Sequence, residues 1–260
     1  ISIYLVGFFS DRNIIVSPKK RFLIQCILII LFVSVFDFRI ISSRIELFDI
    51  LLNNKIFAIL FSSFCLLILI NGSNFIDGLN GLLISCAIII IFMLIKLDLI
   101  DNSLISNESI SLIIVVLLLI LSLNIFNVLM LGDSGAYLLG FFIGFLLISS
   151  HMNNPDISPY FFISLIWYPC FENLFSILRK LNREFSPLKP DSKHLHQLIF
   201  FFFSKKFNLK LVLSNNLSSA IIFFFNFLVI YISTLNPSST IFQIKLIATS
   251  IIFYNVSYML

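Results

Sequence analysis

An all-α, polytopic integral membrane protein is the fold class that this chain predicts, and three observations predict it. Hydrophobic residues make up 59% of the 260, and charged residues only 12%, about half the share of an ordinary soluble domain. The mean hydropathy is +1.07. The apolar residues also fall in long unbroken runs, the signature of membrane spans. Runs of that length satisfy their backbone groups inside lipid as helices. Because the bilayer organises the helices, residues 1–260 read as one transmembrane domain, with a basic loop at about 179–212.

About eight transmembrane helices are expected. Residues 1–9 read as the tail of a span, and the chain opens on Ile1 part-way through an apolar run, so it is expected to be truncated at its N-terminus. Ser10-Asp11-Arg12-Asn13 breaks that run, and Ser17-Pro18-Lys19-Lys20-Arg21 is a basic helix start. Spans follow at about 22–36, 56–70, 82–95, 110–130, 136–150, 160–178, 220–235 and 241–254. Between the first two, residues 37–54 are mixed and partly amphipathic, and Arg39, Arg44, Glu46 and Asp49 read as a headgroup-level face. His151 reads as an interfacial loop residue, and Trp167-Tyr168-Pro169 as packing with a kink. Cys26, Cys65, Cys86 and Cys170 lie inside apolar runs without CxxC spacing, so they are expected to be small core residues.

Counting sides sharpens the picture. Each span carries the chain across the bilayer, which puts Asp11, Asn71–Leu82, Gly132-Asp133 and residues 179–210 on one face. That face collects twelve of the 17 Lys and Arg residues, which makes it cytoplasmic. Every notable polar cluster then faces the cytoplasm, where scattered polar turns would divide between the two faces.

The stretch from Asn71 to Leu82 concentrates amides and a carboxylate at a span end. Such groups are expensive there unless they meet water, an ion or one another. If the helix continues, Asn71, Asn74 and Asp77 share a face. The plain alternative is a polar turn between two spans. Asp11, Asp77 and Asp133 are three carboxylates at three span ends, an oxygen-rich set suited to Mg²⁺ with substrate phosphates. Gly132, Ser134 and Gly135 around Asp133 would let a diphosphate approach, although Gly-Asp-Ser-Gly alone is equally an ordinary turn. Downstream, Ser186-Pro187-Leu188-Lys189-Pro190 forbids a continuous helix, and Asp191 is a candidate N-cap. His194 and His196 could reach one ligand from a helix start, or form a solvated patch. Glu172 is expected either to pair with Arg179 or to line the site.

These residues together resemble a known family. Asn71-x-x-Asn74-x-x-Asp77-Gly78-x-x-Gly81, then Gly132-Asp133-Ser134-Gly135 with Leu139-Gly140, then Ser186-Pro187…Pro190-Asp191-x-x-His194-Leu195-His196 are similar to the signatures of the polyprenyl-phosphate N-acetylhexosamine-1-phosphate transferases, glycosyltransferase family 4. The resemblance spans roughly residues 5–198. It implies Mg²⁺-dependent transfer (Mn²⁺ being an alternative) of a sugar-1-phosphate from a UDP-sugar to polyprenyl phosphate, with release of UMP. It implies catalytic roles for Asp11 and Asp77 and metal binding by Asp133. Substrate contacts would fall to Asn71, Asn74, Gly78, Asn80, His194 and His196. The setting implied is a bacterial inner membrane with a cytoplasmic site, lipids and a second copy of the chain as partners, and no nucleic acid. The chain departs from the pattern at Ser10, where the family has a first Asp, at Asn80 for Asp, at Gln197 for a third His and at Met130 for Phe. An inactive or fragmentary member is one competing reading. A polytopic transporter is another, disfavoured because the polar groups cluster at span ends and no internal repeat is visible.

Overall fold

The computed structural model describes residues 1–181 and 193–259, and among these it forms α-helices, one π-helical turn and no strand. Helices α1 (Ser2–Asp11) and α2 (Pro18–Val35) pack together, and Pro18 opens α2 where a missing N–H costs nothing. A short α3 (Glu46–Leu52) leads into α4 (Lys55–Ile76), which Asn54 caps by accepting from the N–H groups of Ile56 and Phe57. Then come α5 (Leu82–Lys96), α6 (Asn107–Ile125), started by Ser106 accepting from Ser109, and α7 (Gly132–Asn153). The pair α8 (Pro159–Leu165) and α9 (Trp167–Leu181) is bent by 79°. After the undescribed stretch come α10 (Leu195–Phe201), α11 (Leu211–Ser233) and α12 (Thr240–Met259).

The eight expected spans correspond to α2, α4, α5, α6, α7, the α8–α9 pair, α11 and α12. Five helices are long and apolar enough to cross a membrane, or six if the bent pair is one span. Of the other two, α5 has 15 residues, about 22 Å at 1.5 Å per residue, and α2 carries Lys19, Lys20 and Arg21 in its first turns. The chain is a multi-pass, all-α membrane protein.

Helix α4 lies at the centre, packed on α2, α7 and α9. Close approach there depends on missing side chains. A Cβ at Gly72 would lie 2.3 Å from the Pro169 carbonyl oxygen, and one at Gly140 would lie 3.0 Å from the Ile70 Cα. Leu66 and Ile70 of α4 join Ile29, Val33 and Tyr137 in one buried cluster, while Leu69 and Ile76 join α5, α7 and α9 in a larger one.

Several boundaries and roles differ from expectation. Helix α4 runs on to Ile76 and α7 starts at Gly132, so Asn71, Asn74 and the Gly-Asp-Ser-Gly motif are helical, while residues 77–81 form the turn that was the alternative reading. The bend falls at Ile166 rather than at Pro169, which sits in the first turn of α9, where proline is tolerated. His151 is buried in the last turn of α7 with its ring edge-on to Phe162. Arg44 clamps two loops by donating to the carbonyls of Pro155, Asp156 and Ser238. The expected turns at 186–191, with Asp191, lie outside the described residues, and the described N-cap of α10 is His194.

Gly72→Ala is expected to push α4 from α9 and to cost about 1–3 kcal/mol, seen as a lowered thermal-unfolding midpoint in detergent.

Candidate functional site

Helix α7 begins with a problem that another helix solves. Its N-cap position is Leu131, whose side chain accepts nothing. Asp11, the last residue of α1, supplies the acceptor: Oδ1 takes the Asp133 N–H at 2.9 Å and Oδ2 the Ser134 N–H at 3.0 Å. Gly132 makes room, since a Cβ there would stand 2.9 Å from Asp11 Oδ2 and its φ of +66° suits glycine. This docking brings Ser10 to Asp133, whose Oδ2 accepts from the Ser10 hydroxyl at 2.5 Å. Arg21, in the second turn of α2, pairs with the same oxygen and touches Ser10 as well.

Asp77 follows the last residue of α4 and completes the acidic group. Its N–H donates to the Ser73 carbonyl at 3.1 Å, while its carboxylate has neither a hydrogen bond nor an ion pair among the described residues. Burial pushes its carboxyl up to about 7, and the charges of Asp133 and Asp11 push the same way. The C-terminal end of α4 carries partial negative charge and adds to the effect.

A second cluster adjoins the C-terminal end of α4 at Phe75. Fully buried Glu172 of α9 accepts from the Tyr254 hydroxyl at 2.9 Å, and its other oxygen lies 2.9 Å from His194 Nδ1. An ionised carboxylate can only accept, so Nδ1 carries the proton in that state. The rings of His194 and His196 stack at 5.4 Å and 13°, and Phe75 packs on His194 at 5.0 Å. The Tyr168 hydroxyl lies 3.4 Å from His196 Nδ1. Burial lowers the His196 imidazole to about 4, so it is neutral at pH 7. Its Nε2 is buried without a partner and lies beside Gly78, 3.5 Å from where a Cβ there would stand. Gln197 accepts from the His194 N–H at 3.4 Å, so it serves the helix start. Arg179 does not pair with Glu172; it donates to the Tyr258 hydroxyl and the Lys193 carbonyl.

The amides divide between site and scaffold. Asn71 donates to Gln25 and to the Leu67 carbonyl. Asn74 lies one turn later on the same stretch of α4, half-buried. Asn80 is drawn into a set of amides from α11 and the end of α6: its N–H donates to Asn215 and its side chain to Asn127, while Gly81 N–H donates to Asn124. Asp11 and Asp133 therefore share the start of α7, their charges reach Asp77, and Gly78, next to Asp77, adjoins His196, on which His194 stacks. Sequence reasoning missed Arg21, which it read only as topological charge, and gave no sign of Tyr254 or Asn215.

Removing the Glu172 acceptor with Glu172→Ala strands two buried donors, at about 1–3 kcal/mol each, and is expected to lower the unfolding midpoint. Asp77 gives a pH signature. Its folded pKa is raised, so the stability held at low pH is lost as pH rises from about 4 through about 7. Asp77→Asn should therefore stabilise the protein more at pH 8 than at pH 5, measured by thermal unfolding in chelator.

No curated protein and no solved structure matches the chain. A family model, glycosyl transferase family 4, matches residues 1–151. That region holds Asp11, Asp77 and Asp133 but not the histidine cluster. With more than half of its residues inside the family model, the chain belongs to glycosyl transferase family 4 and is, in general terms, a polyprenyl-phosphate sugar-1-phosphate transferase.

Proposed function

We propose that the chain transfers an N-acetylhexosamine-1-phosphate from a UDP-sugar to polyprenyl phosphate and releases UMP, as the first membrane step of a cell-envelope polysaccharide. The setting is the cytoplasmic face of a bacterial inner membrane. One observation carries the reading: the ends of α1, α2, α4 and α7 bring three carboxylates and an arginine together beside a buried, unpartnered imidazole nitrogen. In the reaction, an oxygen of the lipid phosphate attacks the sugar-bearing phosphorus, and the bond to the UMP oxygen breaks. Such transfer needs positioning and charge neutralisation more than covalent machinery.

Asp133 and Asp77 are the residues that would hold Mg²⁺, with Mn²⁺ as a substitute. Among the described residues no three His, Cys, Asp or Glu side chains stand together so as to hold a metal ion between them; Mg²⁺ can be held by one or two carboxylates with phosphate oxygens and water. Asp77 fits the role because its charge is otherwise uncompensated. When bound, the metal supplies neutralisation of the diphosphate oxygens. Arg21 supplies a fixed cation at the same place. With Tyr168 donating to Nδ1, neutral His196 presents an Nε2–H to a donor oxygen near Gly78. Asp11 acts through charge and through its hold on α7.

Membranes containing the protein, incubated with labelled UDP-N-acetylglucosamine, polyprenyl phosphate and Mg²⁺, should move label into the lipid phase and release UMP. Asp133→Asn is expected to cut the rate at least 100-fold. Label that stays in water for every UDP-sugar tried would sink the proposal.

A further inference from the structure

Glu172 is an acid at 0% exposure inside α9. Packing alone does not call for it, since apolar side chains of similar volume are often as stabilising as a buried ion pair. What a carboxylate can do there is orient its neighbours. One oxygen meets His194 Nδ1 and the other accepts from the Tyr254 hydroxyl, both at 2.9 Å. The proton of an imidazole is placed by the hydrogen bonds that its nitrogens make, and a carboxylate on Nδ1 leaves Nε2 to face a ligand.

Tyr254 comes from a helix that touches the bundle at few places. The buried residues of α12 are Gln243, Ser250 and Tyr254. The Tyr254 ring is held edge-on by Phe171 at 4.9 Å and Phe175 at 5.5 Å. One turn on, the Tyr258 hydroxyl accepts from Arg179, whose guanidinium lies over the Phe175 and Tyr258 rings. That clamp joins α12 to α9 beside the Tyr254–Glu172 bond. Glu172, His194 and Tyr254 all lie beyond residues 1–151, the part that the family model matches.

The chain of contacts ends near the acidic group. His194 stacks on His196, whose Nε2 adjoins Gly78, the residue after Asp77. The other titratable groups around His194 and Glu172 are Tyr168 and Arg179 of α9, Tyr258 of α12, His196 and Lys193 on the α10 side, and Asp77 beyond Phe75. Helix α11 brings no charged side chain.

We propose that Tyr254 is a positioning residue of the transferase site. Its hydroxyl and the Glu172 carboxylate hold a proton on His194 Nδ1 and turn Nε2 towards the donor substrate. What His194 touches rests on the transferase reading, whereas the relay itself rests on geometry alone.

The chain has three histidines, so ¹⁵N NMR of the full chain, histidine-labelled in detergent, can follow each one, with signals assigned by substitution to Gln. Tyr254→Phe keeps the ring but removes the phenol proton. The carboxylate charge then falls wholly on His194, whose titration midpoint should rise by about half a pH unit. Glu172→Gln removes the charge and should lower the midpoint by about one unit. The pH–rate profile of transfer should move with His194, in opposite directions in the two variants. A merely structural loss would instead lower the rate alike at every pH. Tyr258→Phe, one turn away, should move neither readout. An unmoved His194 midpoint in Tyr254→Phe, shifts of the same sign in the two variants, or an equal shift in Tyr258→Phe would each overturn the relay. If Glu172→Gln does not fold, the comparison of Tyr254→Phe with Tyr258→Phe decides. Absence of transfer from every UDP-sugar would remove the transferase reading, and the NMR titration would still decide the relay.

Discussion

Two backbone N–H groups at the start of α7 hold the site together. Leu131 cannot cap them, and a helix end left bare at a membrane interface loses on the order of 1 kcal/mol relative to a capped one. The Asp11 carboxylate satisfies both from a different helix. Because Asp11 ends α1, the cap is also a dock. It sets α1 against α7, lays Ser10 on Asp133 and, through the short link to α2, delivers Arg21. Negative charge at this end of α7 also complements the positive end of its dipole. One capping interaction thus does three things: it finishes a helix, joins two parts of the chain far apart in sequence, and fixes the acidic group.

The site's two halves are electrically different. On the α7 side, Asp11, Asp77 and Asp133 face Arg21, the one cation paired with them among the described residues. Burial is the main reason that the Asp77 pKa is raised, the neighbouring acids add to it, and a cationic or metal-bound ligand would offset both. On the α9 side, Glu172 is matched by donors from His194 and Tyr254, and His196 is neutral. The C-terminal end of α4 and the turn after it serve both halves: Phe75 and Gly78 adjoin the histidines, and Asp77 feels the charges of the other acids. In the proposed reaction this separates charge neutralisation from hydrogen-bond recognition.

Much of this was legible in the sequence, for identifiable reasons. Apolar runs mark helices because lipid leaves the backbone no other partner, so all eight expected runs are helical, although only five, or six with the bent pair, are long and apolar enough to cross a membrane. The parity of those spans put the three aspartates on one face; Asp11 caps α7 beside Asp133, and the charges of both reach Asp77. What periodicity could not reveal was partner choice. Nothing near Leu131 announces a cap 120 residues upstream, and Arg21 looks like any positive charge beside a span. Tyr254, on a helix beyond the histidines, is equally silent until Glu172 is seen to be buried. His151 was misplaced because a polar residue after an apolar run resembles a loop, whereas α7 continues one more turn and buries it.

Ser10 is the position where sequence and geometry bear most directly on each other. An aspartate there would add a fourth carboxylate within contact of Arg21 and Asp133. One guanidinium would then face four acids, and Asp77, already at about 7, would be pushed higher. The serine hydroxyl instead donates to Asp133 and contacts Arg21, contributing a hydrogen bond without charge. The arrangement is internally consistent: loss of one negative charge leaves Arg21 and Asp133 a balanced pair, and Asp77 the acid with coordinating capacity to spare. Ser10 is thus bonded into the acidic group, and the chemistry proposed for this chain rests on three carboxylates rather than four.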